Sequence, residues 1–103
     1  MAVFRLTTTD RSLREEVAAD APSSDVIVDP GVRPTVRLIG FAAPGRAMQY
    51  TTSPEAMIVA GTAVWADWGG GEIIGSAEGR AKGVMTGIRL SPGGGAGAWE
   101  IVA

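Results

Sequence analysis

The stretch TVRLIGFAAPGRAMQYTTSP, residues 35–54, decides the fold class. It contains two runs rich in valine, isoleucine, threonine and aromatic residues, which are typical of β-strands. Ala43-Pro44-Gly45 stands between the runs and predicts a turn. Similar short runs, separated by glycine or proline, continue to the C-terminus. We therefore expect an all-β domain of about seven short strands, built as a β-sandwich, a jelly roll or a small barrel.

Four further strands are predicted after residue 54. The run MIVAGTAVWAD, residues 57–67, is apolar on both alternating faces, as in a central strand that is covered on both sides. EIIGS, residues 72–76, predicts a strand that ends in a hairpin turn at Glu78-Gly79. KGVMTGIRL, residues 82–90, and AWEIV, residues 98–102, predict the last two strands.

The first third of the chain differs from the rest in charge, because residues 1–37 hold more than half of the charged side chains. AVFRLT, residues 2–7, and DVIVD, residues 25–29, predict short strands. A capping-box match at residues 12–15 predicts a short helix over about residues 10–19. We divide the chain into a charged, extended N-terminal arm at residues 1–34 and a glycine-rich β-domain at residues 35–103.

Composition excludes several classes of function. The 103 residues include no cysteine and no histidine, so the commonest general base and the commonest zinc ligands are missing. We expect no enzymatic activity, no metal site and no cofactor. A net charge of -2 provides no basic field for nucleic acid, and no run is long enough to span a bilayer. The start of the chain also has no apolar stretch like a signal-peptide core.

Glycines recur every fourth residue at Gly75, Gly79, Gly83 and Gly87. Four glycines would each cost a soluble helix about 1 kcal/mol, so the spacing favours strands. We expect Gly83 and Gly87 to leave one sheet face almost bare. A tryptophan of the same chain is the favoured cover for that face, and a neighbouring subunit is the alternative.

Candidate interface residues follow from this interpretation. They are Gly83 and Gly87 on the bare face, together with Arg33 and Arg37. We expect the two arginines to form solvated or intersubunit ion pairs with Asp25 and Asp29.

The segment VWADWGGGE, residues 64–72, is the other candidate site. An aromatic surface beside carboxylates is what a sugar-binding site uses, because ring faces stack on the sugar and acids accept its hydroxyl hydrogens. The candidate ligand-binding residues are Trp65, Asp67, Trp68 and Glu72. In a strand Trp65 and Asp67 would share one face and Trp68 the other, so a tryptophan in the core is the favoured interpretation. A hydrolase that uses Asp67 or Glu72 ranks last.

The overall layout, a proline-interrupted polar arm followed by a body carrying MIVAGTAVWADW and GVMTGIRLSPGGGAGAWEIV, resembles small virion structural proteins of tailed bacteriophages. Among these, the chain notably resembles capsid decoration (cement) proteins. It implies a homo-oligomer, expected to be a trimer, that is made in the host cytoplasm and binds the major capsid protein or another virion protein. A tail or fibre component has the same layout. The resemblance includes no diagnostic motif, so it assigns no functional residue.

Overall fold

The computed structural model describes residues 3–68, 71–80 and 83–103. These residues form nine strands and one short helix. The elements are β1 (Val3–Leu6), β2 (Ser12–Val17), β3 (Asp25–Val28), β4 (Thr35–Arg46), β5 (Met48–Thr51), α1 (Glu55–Ala60), β6 (Ala66–Asp67), β7 (Ile73–Arg80), β8 (Gly87–Leu90) and β9 (Gly97–Val102).

The strands form two sheets that pack face to face, which confirms the prediction of a small all-β sandwich. The five-stranded sheet has the order β1-β3-β8-β5-β6, and the four-stranded sheet has the order β2-β9-β4-β7. Strands β1 and β3 are parallel, and the other strand pairs in the described part of the chain are antiparallel. Strands β2 and β7 are therefore the two edges of the four-stranded sheet.

The core lies between the sheets and centres on Trp99, whose side chain is fully buried. Because successive side chains of a strand point to opposite faces, Trp99 and Ile101 of β9 enter the core together. Leu38 lies opposite Trp99 on β4, and Ile88 and Leu90 come from the facing sheet. Burying one such side chain stabilises the fold by about 1.5–3 kcal/mol.

The prediction of a helix over residues 10–19 is wrong, because Ser12–Val17 forms strand β2. Its exposure alternates along the strand, with Leu13, Glu15 and Val17 on the inner side. All six residues pair with β9, and this pairing overrides the local capping-box match.

The segment expected to be an extended arm belongs to the sandwich. Strands β1 and β3 enter the five-stranded sheet, and β2 enters the four-stranded sheet. Residues 3–28 therefore contribute strands to both sheets, and residue 34 does not separate a free arm from the body.

The central strand expected over residues 57–67 is also wrong. Glu55–Ala60 forms helix α1, and only Ala66–Asp67 pairs as strand β6. Pro54 precedes the helix, where its fixed φ is compatible with a helix start. Gly61 ends the helix with a φ of 77°, which glycine adopts readily.

Two predicted turns differ in the structure. Strand β7 runs through Glu78-Gly79 without a hairpin and pairs with β4 as far as Arg80. The turn expected at Ala43-Pro44-Gly45 lies in an irregular part of β4, where the register with β7 shifts between Phe41 and Arg46. The strand expected over residues 82–90 is shorter, since only Gly87–Leu90 forms β8, and Lys82 lies outside the described residues.

Candidate functional site

An open groove of about 930 Å³ lies between the two sheets, on the side where β5 and β6 face β7. Its walls are mostly apolar, and its rim carries charged side chains. Its lining includes the largely apolar Met48, Tyr50, Trp68, Ile73 and Met85 and the charged Asp67, Glu78 and Arg80. This combination of aromatic wall and polar rim is typical of a site for a small ligand or a peptide.

The groove exists because β7 presents small residues to its interior. Gly75, Ala77 and Gly79 follow Ile73 at alternate positions, so no large side chain from this strand fills the space. At Gly79 the opposite wall comes close, since an added Cβ would lie 3.1 Å from the Met48 Cε atom. A larger residue at Gly79 would therefore narrow the groove.

Trp65 lies on the outer face of the five-stranded sheet rather than in the groove. The Arg89 guanidinium lies 4.5 Å from the centre of a Trp65 ring. The Arg89 Nε atom donates a hydrogen bond of 2.8 Å to Gln49 Oε1, and Gln49 Nε2 donates one of 3.1 Å to Asp67 Oδ1. One face of Trp65 is thus covered by an arginine, so it does not offer that face to a ligand.

The four candidate ligand-binding residues therefore do not converge. Trp65 and Asp67 belong to the outer face of the five-stranded sheet, whereas Trp68 lines the groove, which Asp67 borders. Glu72 is exposed just before β7. Of the triglycine at residues 69–71, only Gly71 is among the described residues. A site for one ligand would have to use Trp68 with Asp67 and leave out Trp65.

A buried carboxylate lies on the same outer face. Asp25 is 2% exposed, and its Oδ1 atom accepts no hydrogen bond from the part of the chain that the structure describes. Burial raises the pKa of Asp25, and the positive charge of Arg89 partly offsets this rise. Burial also lowers the pKa of Arg89, again with a smaller opposite effect from Asp25. The two groups therefore stabilise each other's charged form.

The candidate interface arginines lie at the four-stranded sheet. Arg37 points outward from β4 and pairs with Glu78 of β7 at 3.4 Å, while Arg33 lines a shallow charged groove beside it. Within one chain the Asp29 carboxylate accepts from Arg5 at 2.8 Å rather than from Arg33 or Arg37, and the expected intersubunit pairing stays a prediction. Asp25 likewise forms no ion pair with either arginine.

The two candidate glycines have different surroundings. Gly83 is exposed outside the strands, and an added Cβ would meet nothing within 4 Å. Gly87 is buried, and an added Cβ would lie 2.8 Å from the Ile58 Cδ1 atom of α1. The prediction that these two glycines leave one sheet face bare is therefore wrong. At Gly87 the chain's own helix covers the sheet, and the covering side chain is an isoleucine rather than a tryptophan.

Charges alternate across the outer face of the four-stranded sheet. Register pairs connect Arg14 to Glu100, Glu100 to Arg37, and Arg37 to Glu78. The Arg14–Glu100 pair measures 3.3 Å and, like Arg37–Glu78, is largely exposed. Each exposed pair contributes about 0.2–1 kcal/mol at most, so the row matters more as a charge pattern than for stability. We call these four residues the charge row.

Sequence reasoning missed two polar side chains that point inward. The Glu15 carboxylate accepts hydrogen bonds from the Ser24 backbone N–H at 2.9 Å, from the Ser24 hydroxyl, and from Trp99 Nε1 at 2.9 Å. Burial alone would raise the pKa of Glu15, but these donors outweigh burial and lower it. The alternation of exposed and inward side chains along β2 would have predicted that Glu15 points inward. The prediction of a helix for this segment left that alternation unused.

Arg46 is the second missed residue, and its side chain is fully buried. It donates to backbone carbonyls of two separate segments, including Ala18 at 2.9 Å, Ala21 at 2.8 Å and Gly95 at 2.8 Å. Burial lowers the pKa of Arg46, and nearby Asp20 partly offsets this effect. No local sequence signal marks Arg46, since its partners are main-chain atoms far away in the chain. Both residues hold the fold together rather than facing a ligand.

No group of three or more carboxylate, histidine or cysteine side chains that could hold a metal ion occurs among the described residues. In the same residues, no helix has the length and apolar character needed to cross a membrane. No family model, curated protein or solved structure matches the chain.

Proposed function

We propose that this protein is a non-enzymatic virion structural protein of the capsid decoration (cement) type, which stabilises a shell by binding between capsid subunits. The observation that carries the proposal is the free edge of β7. This strand has eight residues and is the last strand of its sheet. No strand in the described residues pairs with the edge of β7 that faces away from β4. A long open edge presents unpaired backbone groups to another chain.

The surroundings of β7 suit a protein partner. The groove beside its inner face can accept apolar side chains, and Glu78 and Arg80 on its outer face can pair with charges. An extended segment added to an open edge gains affinity from main-chain hydrogen bonds and specificity from such pockets. The proposal assigns the edge of β7 to contacts between copies of this chain, and it assigns the adjoining charged face, with Arg33 and Arg37, to the capsid subunits.

The expected homotrimer fits this role. A symmetric oligomer presents each contact several times, so an interface that is weak in one copy binds strongly in the assembly. The layout that resembles decoration proteins is what favours a virion over other assemblies, and a tail or fibre location is compatible with the same contacts.

The test is binding to assembled particles. The genes beside this reading frame provide the candidate capsid and tail proteins, whose purified shells or tails are mixed with the protein and sedimented. We expect co-sedimentation with shells, with weaker binding by Glu78→Arg and unchanged binding by the exposed loop variant Glu72→Arg. If the protein remains in the supernatant with both shells and tails at tens of micromolar, the proposal fails.

A second candidate function is carbohydrate binding, and the position of Trp68 favours it. Trp68 is half-buried in the groove beside Tyr50, with Asp67 at the rim. A sugar could stack on the aromatic wall while the carboxylate accepts its hydroxyl hydrogens. In a glycan titration, tryptophan emission should change in the native protein and in Trp65→Phe, and should not change in Trp68→Phe. Equal responses of the two variants would exclude the groove as the site.

A further inference from the structure

We propose that copies of this chain associate head to tail, with β7 of one copy pairing antiparallel with β2 of the next. The register places Glu78 opposite Arg14 of the next copy. This inference deepens the proposed function and rests on its self-association, but it requires no virion.

The two edges of the four-stranded sheet have compatible directions. Strand β2 is antiparallel to β9, β9 to β4, and β4 to β7, so β7 runs opposite to β2. When the sheet continues from β7 into β2 of a second copy, the antiparallel pattern is preserved. Each copy then offers one edge of each kind, and two copies can extend a single sheet without any change of fold.

The charge row supplies the complementarity. It begins with a cation, Arg14, at the β2 edge and ends with a carboxylate, Glu78, at the β7 edge. In the proposed register the row continues into the next copy with the same alternation of sign. Opposite charges directly across a strand pair are favourable, and like charges are unfavourable.

Other registers lose this match. A shift of two residues in one direction would place Arg80 opposite Arg14 and Glu78 opposite Glu16, which creates two like-charge pairs. The same shift in the other direction places Glu78 opposite Ser12 and forms no ion pair with a residue of β2, because Arg80 then lies opposite Asp10, which precedes that strand. A shift of one residue would turn the charged side chains toward the core. The charge pattern therefore selects one register.

The inner faces of the two edges also complement each other in size. In the proposed register Gly79 lies opposite Leu13 of the next copy and Ala77 opposite Glu15, and the regular pairing ends before Gly75, whose φ is 89°. The small side chains of β7 thus leave room for the larger side chains of β2, as interdigitated cores require. If β7 paired instead with β7 of a second copy, small residues would lie opposite small residues on the inner face. If Ala77 lay opposite Ala77 in such a pair, the two Glu78 carboxylates would be diagonal neighbours, and their like charges would repel each other.

Head-to-tail contacts produce a closed ring or an open filament, depending on the rotation between copies. A ring of three copies is the form that the proposed function expects. Because β2 and β7 are opposite edges of the sheet, each copy contributes β7 to one contact and β2 to the next.

Cysteine cross-linking tests the register directly, because the chain contains no cysteine. In the proposed pairing Ser12 lies opposite Arg80 of the next copy, and both side chains are exposed on the outer face. Within one copy these residues are three strand spacings apart, about 14 Å, which is too far for a disulfide. We expect the oxidised double variant Ser12→Cys/Arg80→Cys to form covalent oligomers on a non-reducing gel. Each single variant should remain monomeric on that gel.

A matched control uses the double variant Glu16→Cys/Arg80→Cys, in which the cysteines lie four residues out of register and should not cross-link. In light scattering, Glu78→Arg should raise the dissociation constant of the oligomer at least tenfold, whereas Glu72→Arg should leave it unchanged. Circular dichroism verifies that both variants fold.

The outcomes separate this inference from the proposed function. If the native protein forms oligomers but the Ser12/Arg80 pair does not cross-link, the edge pairing is wrong while self-association stands. Covalent dimers from Arg80→Cys alone would indicate pairing of β7 with β7, which also overturns it. A native protein that is monomeric at 100 μM overturns the inference, and co-sedimentation with shells then decides the proposed function by itself.

Discussion

The Ile58 side chain closes the space above Gly87, so helix α1 is attached to the five-stranded sheet at a point where that sheet has no side chain. An added Cβ at Gly87 would lie 2.8 Å from Ile58 Cδ1 and 3.2 Å from both Thr51 Cγ2 and the Val26 carbonyl oxygen. The isoleucine is itself fully buried. The glycine is therefore required by the chain's own packing.

Replacing Gly87 with valine should destabilise the protein. Forcing extra methyl groups into a packed interior typically costs about 1–3 kcal/mol, and here backbone as well as side-chain atoms are in the way. Gly83→Val is the matched control, because its Cβ would meet nothing within 4 Å. Urea unfolding should show a lower midpoint for Gly87→Val and little change for Gly83→Val. Equal midpoints would mean that α1 does not rest on Gly87.

The glycine spacing of the sequence predicted a covered face at both Gly83 and Gly87, but the structure covers only Gly87, and the sequence did not show which residue covers it. Strand periodicity gave β1, β3 and β9 correctly, because alternating or continuous apolar runs reflect burial within a sheet. It failed for residues 57–60, where an apolar run of this length is equally compatible with a buried helix face. Since the covering residue Ile58 lies in that run, the sequence could not show which element covers Gly87.

Replacing Glu15 with glutamine should also destabilise the fold at neutral pH. The carboxylate accepts from the Ser24 backbone, the Ser24 hydroxyl and Trp99, whereas an amide has one acceptor oxygen for these three donors. Losing hydrogen bonds to a charged group and leaving a donor unpaired costs about 1–3 kcal/mol. Thermal or urea unfolding at pH 7 measures the difference, with the exposed variant Glu16→Gln as the control.

The effect of Glu15 should depend on pH with a definite sign. The pKa of Glu15 in the folded protein lies below its ordinary value of 4.5, so folding favours the ionised form. Its contribution is present in full above that value and disappears as the pH falls through the lower pKa of the folded state. The stability difference between the native protein and Glu15→Gln should thus shrink as the pH falls from 7 to about 3. A difference that grows in acid would contradict the assigned hydrogen bonds.

Replacing Arg46 with methionine should be the most destabilising of these substitutions. Methionine has a similar length but donates no hydrogen bond, so the carbonyls of Ala18, Ala21 and Gly95 would lose their donor inside the protein. Each buried carbonyl that is left without a donor costs about 1–3 kcal/mol, and three carbonyls lose their donor together. The exposed variant Arg33→Met is the control. If Arg46→Met unfolds during purification, Arg46→Lys, which keeps a charge and part of the donors, should have an intermediate unfolding midpoint.

The candidate site was predictable only in part. Alternation correctly separated Trp68 from Trp65 and Asp67, because it depends only on strand geometry. The partner that covers Trp65 was not predictable, because Arg89 lies on β8, a strand that is distant in sequence and becomes a neighbour only through β5. The charge row likewise combines residues from four strands, and no local pattern reveals such a register.

Removing the arginine that covers Trp65 should make this ring accessible to solvent. In Trp68→Phe the remaining tryptophans are the fully buried Trp99 and the half-buried Trp65, so emission changes report on Trp65. Adding Arg89→Ala removes the cation over the ring, and acrylamide should then quench the emission more strongly with a shift to longer wavelength. A cation–π contact at a partly exposed site is worth about 0.5–1 kcal/mol, but Arg89 also balances the charge of the buried Asp25, so circular dichroism must first verify that the variant is folded. Arg33→Ala in the same background is the control, because Arg33 lies at the other sheet. Unchanged quenching after Arg89→Ala would show that Trp65 is already open to solvent, and Trp65 would then return as a candidate for sugar stacking.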